Sequence, residues 1–273
     1  MHTLTIYLDG IGLLGPGLSN WENARPVLAG HLPYTPAPIA LPAIEKLPPA
    51  ERRRVGVPVK LSMAIGLEAA RHAEADLSLL ATVFSSTEAD CDNSHAILEA
   101  LASSDRAVSP TRFHNSVHNA PSGYWGIATG CMQPSTSLCA YDATFAAGLL
   151  EAATQASQTG QACMVLAYDT VFPQPLRSLR PLPDAMGVAL ILTPRQTTAA
   201  RARLTISLTN APASTLPQAA LESLRQQIPV ARALPLLSLL ARDDSATVVL
   251  DYLDDLRLAV EVSALCPTRQ QQP

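Results

Sequence analysis

The chain holds 273 residues, 48% of them hydrophobic and 15% charged, with a net charge of −4 at neutral pH. That much apolar material supports a sizeable core and excludes global disorder. The lack of a basic excess excludes a generic nucleic-acid binder. On a prior of ~100–200 residues per domain, the length fits one large domain or two small ones. The five cysteines, at positions 91, 131, 139, 163 and 266, form no C-x-x-C pair. They read as reduced thiols rather than a zinc site or a disulfide framework. Asp9 and Gly10 break the early apolar run, which leaves no signal-peptide core. No run of ~20 apolar residues is available for a membrane span. A cytoplasmic location is the expectation.

Leu4–Leu8 alternates as a strand, and Gly10, Gly12 and Gly15-Pro16-Gly17 predict a turn-rich exit from it. Residues 32–50 are rich in proline, which removes a backbone donor and restricts its predecessor, so an extended surface loop is expected. Met63, Ile65, Leu67 and the neighbouring alanines predict a buried helix within Pro58–Asp76, followed by a strand at Leu79–Phe84. Asp92–Leu101 reads as a helix capped by Asp92 or Asn93. Pro121–Thr129 reads as a short helix with proline in its first turn. Ser135–Tyr141 is a predicted strand and Ala143–Ala156 an alanine-rich helix. Strands are expected at Gln161–Tyr168, Gly187–Leu192 and Leu204–Leu208, and a helix at Leu216–Gln227. Thr247–Tyr252 and Leu256–Ser263 flank Asp254-Asp255 as a hairpin. The tail from Pro267 is polar and expected to fray. Strands alternating with helices argue an α/β fold.

Six histidines are present and none lies after position 118. His114 and His118 flank Ser116, a possible nucleophile with its base, although such partners normally converge from distant parts of a chain. The same two histidines have helical metal-ligand spacing, but the adjacent asparagines weaken a helix there and no third ligand is evident, so no metal is expected. Gly10-x-Gly12-x-x-Gly15 matches the dinucleotide fingerprint by spacing. Pro16-Gly17 disfavours a helix opening at that point, so the match is set aside and no cofactor is expected. Arg52-Arg53-Arg54 reads as a solvated surface or as a docking patch for an acidic partner.

The stretch from Asn119-Ala120-Pro121-Ser122-Gly123 through Ala152 resembles the nucleophile region of the β-ketoacyl synthases, the condensing enzymes of the thiolase-like fold. Helix Pro121–Thr129, turn Gln133-Pro134-Ser135, strand Thr136–Tyr141 and the helix from Ala143 follow the family's order without a gap. Tyr7–Gly17, Trp21-Glu22, Val108-Ser109-Pro110-Thr111 and Pro183–Ala189 resemble other family segments in the same order. The resemblance implies a thiolase-like α/β fold with a mixed sheet between helices and a truncated second half. It implies a β-ketoacyl synthase N-terminal-like unit over residues 1–209, with 210–273 as a shortened remainder on the same core.

The departures from the family are chemical. On the gapless register, Asp142 occupies the position of the active cysteine. A carboxylate cannot store an acyl group as a thiolate does, because the acyl anhydride is far more labile. Cys139 lies three residues earlier, away from the positive helix N-terminus that lowers a nucleophile's pKa. The family's two late histidines have no counterpart here. The resemblance therefore implies a non-condensing homologue, similar to the chain length factors of bacterial aryl polyene and related type II polyketide or fatty-acid-like pathways. Such a subunit would form a heterodimer with an active β-ketoacyl synthase that is served by acyl carrier protein.

Thr136, Ser137, Leu138, Cys139, Ala140 and Tyr141 would then form the inter-subunit strand. Phe113, His114, Asn115, Ser116, Val117, His118 and Asn119, with Tyr124 and Trp125, would face the partner's acyl pocket, where aromatic bulk sets pocket length. Ordinary core packing is the competing reading of Tyr124 and Trp125. Asp142 is expected to be an N-cap. Two alternatives stay open: an acyl-thioester decarboxylase or acyltransferase using Cys139 or Asp142, and a carrier-protein docking scaffold using Arg52, Arg53 and Arg54.

Overall fold

A computed structural model describes residues 3–265; the tail from Pro267 lies outside them. The strands are β1 (Leu4–Leu14), β2 (Ala81–Ser85), β3 (Ser135–Leu138), β4 (Cys163–Asp169), β5 (Met186–Thr193), β6 (Ala202–Thr209), β7 (Ala246–Leu250) and β8 (Arg257–Ala264). The helices are α1 (Trp21–Leu28), α2 (Pro49–Arg52), α3 (Val57–His72), α4 (Cys91–Ala102), α5 (Pro110–His114), α6 (Ala120–Thr129), α7 (Thr144–Thr159), α8 (Leu176–Leu179), α9 (Ala219–Gln227) and α10 (Leu234–Ala241). One mixed sheet runs in the order β3-β2-β4-β5-β1-β6-β8-β7. β2 is parallel to both β3 and β4, and the remaining pairs are antiparallel.

Period-two alternation sends each central strand's side chains to two cores. In β4, Cys163, Val165 and Ala167 join the core on the α7 side, while Met164, Leu166 and Tyr168 join the core on the α3 side. Leu216 and Leu258 belong to the first core together with Ile6 and Leu190, and β8 pairs directly with β6. The chain beyond residue 209 therefore widens this one sheet.

Several expectations need correction. The glycines after Leu8 do not end the first strand, which continues to Leu14. A Cβ on Gly10 would fall 2.2 Å from the Ala69 carbonyl oxygen, and one on Gly12 would fall 1.9 Å from that of Ile65. The glycines let α3 lie against β1, which is packing rather than phosphate binding. The α4 cap is Asp90, whose carboxylate accepts the Asn93 N–H at 3.0 Å, not Asp92 or Asn93. The strand expected over Ser135–Tyr141 stops at Leu138. Helix α10 was not legible, because Leu-Pro-Leu-Leu-Ser-Leu-Leu-Ala is buried on every side and has no amphipathic period.

The two sheet edges differ. Ser214 covers β7: its N–H donates to the Val249 carbonyl at 2.8 Å, and its hydroxyl accepts the Val249 N–H at 3.0 Å. On β3, the Pro134 and Leu138 carbonyls bond inward to β2, and among the described residues no backbone group bonds its outer side.

Candidate functional site

The turn between β3 and α7 carries the site. Ala140 leaves the strand, Tyr141 takes a left-handed conformation at φ 51°, and Tyr141–Ala143 form one 3₁₀ turn into α7. The Thr144 hydroxyl fixes this turn, donating to the Tyr141 carbonyl and accepting the Ala140 N–H at 3.2 Å. Ser85 donates to the Thr144 carbonyl at 2.6 Å, tying the turn to β2.

Asp142 is not the N-cap; that position is Ala143, with no side-chain cap. Its carboxylate is instead held between two arginines. Arg180 Nη2 binds Oδ1, Arg232 Nη2 lies 3.3 Å from Oδ2, and Arg232 Nη1 donates to the Asp142 carbonyl at 2.8 Å. The Arg180 guanidinium stacks 4.1 Å from the Tyr141 ring centroid and 5.7 Å from that of Phe172. A carboxylate whose lone pairs are engaged by two guanidiniums is a poor nucleophile. Neither arginine was singled out in the sequence, since they lie 38 and 90 positions from Asp142.

Beneath the turn, Asp169 is buried. Its oxygens accept the Thr87 N–H at 3.1 Å and the Val230 N–H at 2.6 Å, and burial pushes its carboxyl up from the usual range. Burial likewise raises Glu88, which accepts from the Cys91 thiol at 2.7 Å. These two carboxyls hold the loops around the turn.

Cys139 lies just past β3, exposed, with Sγ 2.9 Å from His118 Nε2. Partial burial raises the thiol pKa, helped by Glu88 and Asp169, while burial lowers that of His118. Both shifts favour a neutral thiol beside a neutral imidazole. The sequence did not reveal this pair, because its members are 21 positions apart. The Ser116 pairing considered above is absent: its hydroxyl donates to the Phe113 carbonyl at 2.8 Å. Among the described residues no group of three or more His, Cys, Asp or Glu side chains could hold a metal ion.

Phe113, His114, Ser116, Val117 and Asn119 are exposed, whereas Asn115 and His118 are half-buried. Tyr124 and Trp125 need correction as partner-facing residues, since both point into the protein's own core. Trp125 is 2% exposed and meets Phe84 edge-on at 6.4 Å between centroids. The Tyr124 hydroxyl donates to Asn115 Oδ1 at 2.9 Å and so steadies the Phe113–Asn119 loop from below. Thr136, Ser137 and Leu138 lie in the edge strand, while Cys139 and Ala140 follow it and Tyr141 is in the turn. Of the three clustered arginines, Arg52 donates to the Glu45 and Leu47 carbonyls, Arg54 pairs with Glu51 at 3.0 Å, and Arg53 is exposed.

A family model described as beta-ketoacyl synthase, N-terminal domain, matches residues 21–252. The match begins after β1 and runs well past residue 209, further than the resemblance read from the sequence. A ketosynthase (ApeO) in complex with its chain length factor (ApeC) from Xenorhabdus doucetiae is similar at 22% identity and TM-score 0.72, over 94% of this chain and 99% of that one. A type II polyketide synthase acyl-carrier protein in complex with its ketosynthase bound to the hexaketide (AntDE:AntF) gives TM-score 0.75 at 10% identity, over 96% and 100%. The ishigamide ketosynthase/chain length factor gives 0.71 at 12% identity, over 96% and 100%. No curated protein matches the chain. The fold is the thiolase-like ketosynthase fold, at a length these structures share end to end. Among the described residues no helix is long and apolar enough to cross a membrane.

Proposed function

Because the chain belongs to the beta-ketoacyl synthase family, we propose that it is a non-catalytic chain length factor. It pairs with an active β-ketoacyl synthase, supplied by acyl carrier protein, and shapes that subunit's acyl pocket in polyene- or polyketide-like biosynthesis in the cytoplasm. The observation that carries this reading is the clamp of Arg180 and Arg232 on Asp142, the residue that the sequence resemblance assigns to the nucleophile's position. The absence of any histidine after position 118 agrees with it. In this reading residues 1–209 carry the family-like unit and 210–273 its shortened remainder.

The free outer edge of β3 supports pairing there, since an open edge invites another strand. Exposed apolar side chains occur on the segments leading to and from that strand: Phe113, Val117, Met132 and Tyr141. The Phe113–Asn119 loop would bound the growing chain, and Arg53 and Arg54 would meet the acidic carrier. No cofactor is needed for this role. Co-expression with a candidate partner β-ketoacyl synthase, followed by size exclusion with light scattering, tests the reading. A one-to-one complex is expected; a well-behaved monomer that ignores the ketosynthase overturns it.

A second reading rests on the Cys139–His118 contact, which places a base beside a thiol. It makes the chain an acyltransferase or an acyl-thioester decarboxylase acting through Cys139. Product formation by the reconstituted pair that is unchanged in Cys139→Ser removes it.

A further inference from the structure

A groove of about 330 Å³ runs along α3, between that helix, the end of β1 and the proline-rich segment at Pro42–Ile44. Its volume falls within the ~300–1,000 Å³ of small-molecule pockets. Lys60, Ala64, Leu67 and Arg71 line it from α3 at spacings of four, three and four residues, so they share one helix face. At ~1.5 Å rise per residue that stripe is about 16 Å long, apolar in the middle and cationic at each end. Leu14 and Ile44 complete an apolar floor and wall.

The outer wall is the proline-rich segment around Pro42–Ile44, which is anchored before any ligand arrives. The Gly17 N–H donates to the Ala37 carbonyl at 2.8 Å, the Ile39 N–H to Asp184 Oδ2 at 2.8 Å, and Arg52 to the Leu47 carbonyl at 3.1 Å. A pre-formed wall lowers the ordering cost of binding.

The charges decide the ligand's polarity. Among the described residues neither Lys60 nor Arg71 is in an ion pair. Glu68 also lines the groove, and both of its oxygens are taken, by the Leu13 N–H at 2.8 Å and the Trp21 N–H at 2.7 Å. Glu68 sits three residues from Arg71, so that end already holds a carboxylate. Lys60 is a half-buried residue, and Glu68, the acidic residue of the groove's lining, lies about two helical turns from it along α3.

We propose that this groove binds a medium-chain amphiphile with a carboxylate head, the carboxylate on Lys60 and the chain along Ala64 and Leu67. The site is separate from the β3 edge and does not rest on the pairing proposed above.

The test is calorimetric titration of the full-length chain with decanoate below its micellar concentration, with decyltrimethylammonium as the cationic counterpart. Saturable decanoate binding is expected, weakened about tenfold in Lys60→Gln, as for loss of one charge-assisted hydrogen bond. Ala64→Trp, which fills the groove, should abolish it. Should Ala64→Trp lose the native melting transition, Ala64→Leu replaces it, with a graded loss expected. The proposal is overturned by no saturable decanoate binding, by binding indifferent to both variants, or by equal binding of the cationic amphiphile.

Discussion

Arg232 holds Asp142 at two points, donating to its backbone carbonyl at 2.8 Å and approaching its carboxylate at 3.3 Å. This couples the segment after α9 to the turn before α7, so the position read as the nucleophile's has become a structural junction. Arg180 completes it from the other side and is itself stacked on Tyr141.

Breaking that junction should cost stability and not chemistry. Asp142→Ala leaves two partly buried guanidiniums short of a partner, with an expected loss of about 1–3 kcal/mol. Urea unfolding measures it. Asp142→Cys in the reconstituted pair should leave condensation wholly dependent on the partner's nucleophile, because no late histidine is present to assist a thiol here. Condensation that survives loss of the partner's nucleophile would contradict the non-catalytic reading.

The β3 edge separates pairing from folding. The Pro134 and Leu138 carbonyls face β2, so by strand alternation Ser137 turns its N–H outward. Ser137→Pro removes that donor at a position where an edge strand tolerates proline. The melting temperature of the isolated chain should hardly move while co-purification with the ketosynthase is lost.

Trp125 and Phe113 should behave oppositely. Trp125→Ala opens a core cavity, with an expected cost of ~3–5 kcal/mol seen in thermal or denaturant unfolding. Phe113 is 70% exposed, so Phe113→Ala should leave stability within ~0.5 kcal/mol. Under the pocket-shaping proposal it is Phe113→Ala, in complex, that shifts the product-length distribution read by mass spectrometry.

Glu222 gives a pH prediction. Arg225 holds its carboxyl at about 2 against an ordinary 4.5, through contacts of 2.7 and 2.8 Å. A depressed carboxyl contributes stability that is present above its unfolded value and lost as pH falls through the folded one. Stability should therefore decline between about pH 4.5 and pH 2, and Glu222→Gln should flatten that part of the curve. Denaturant midpoints across the range test it.

The sequence alone determined the features that rest on local pattern and on composition. The alternation at the start of β1 and in β6, the continuous apolar runs of β4 and β5, the apolar spacing of α3 and the alanine-rich α7 are set by which residues face a core, and those patterns survive in one dimension. The lack of any histidine after position 118 was legible as residue identity, and so was the aspartate that the resemblance sets at the nucleophile's place. The tertiary structure decided what depends on contacts between distant segments. It brought Arg180 and Arg232 to Asp142 and His118 to Cys139, and it turned Trp125 inward. It also extended β1 through its glycines, where α3 lies against the backbone, and it covered β7 while leaving β3 open. Ion pairs, inward-facing aromatics and free edges are fixed by which surfaces meet after folding, and no local period of the chain encodes that.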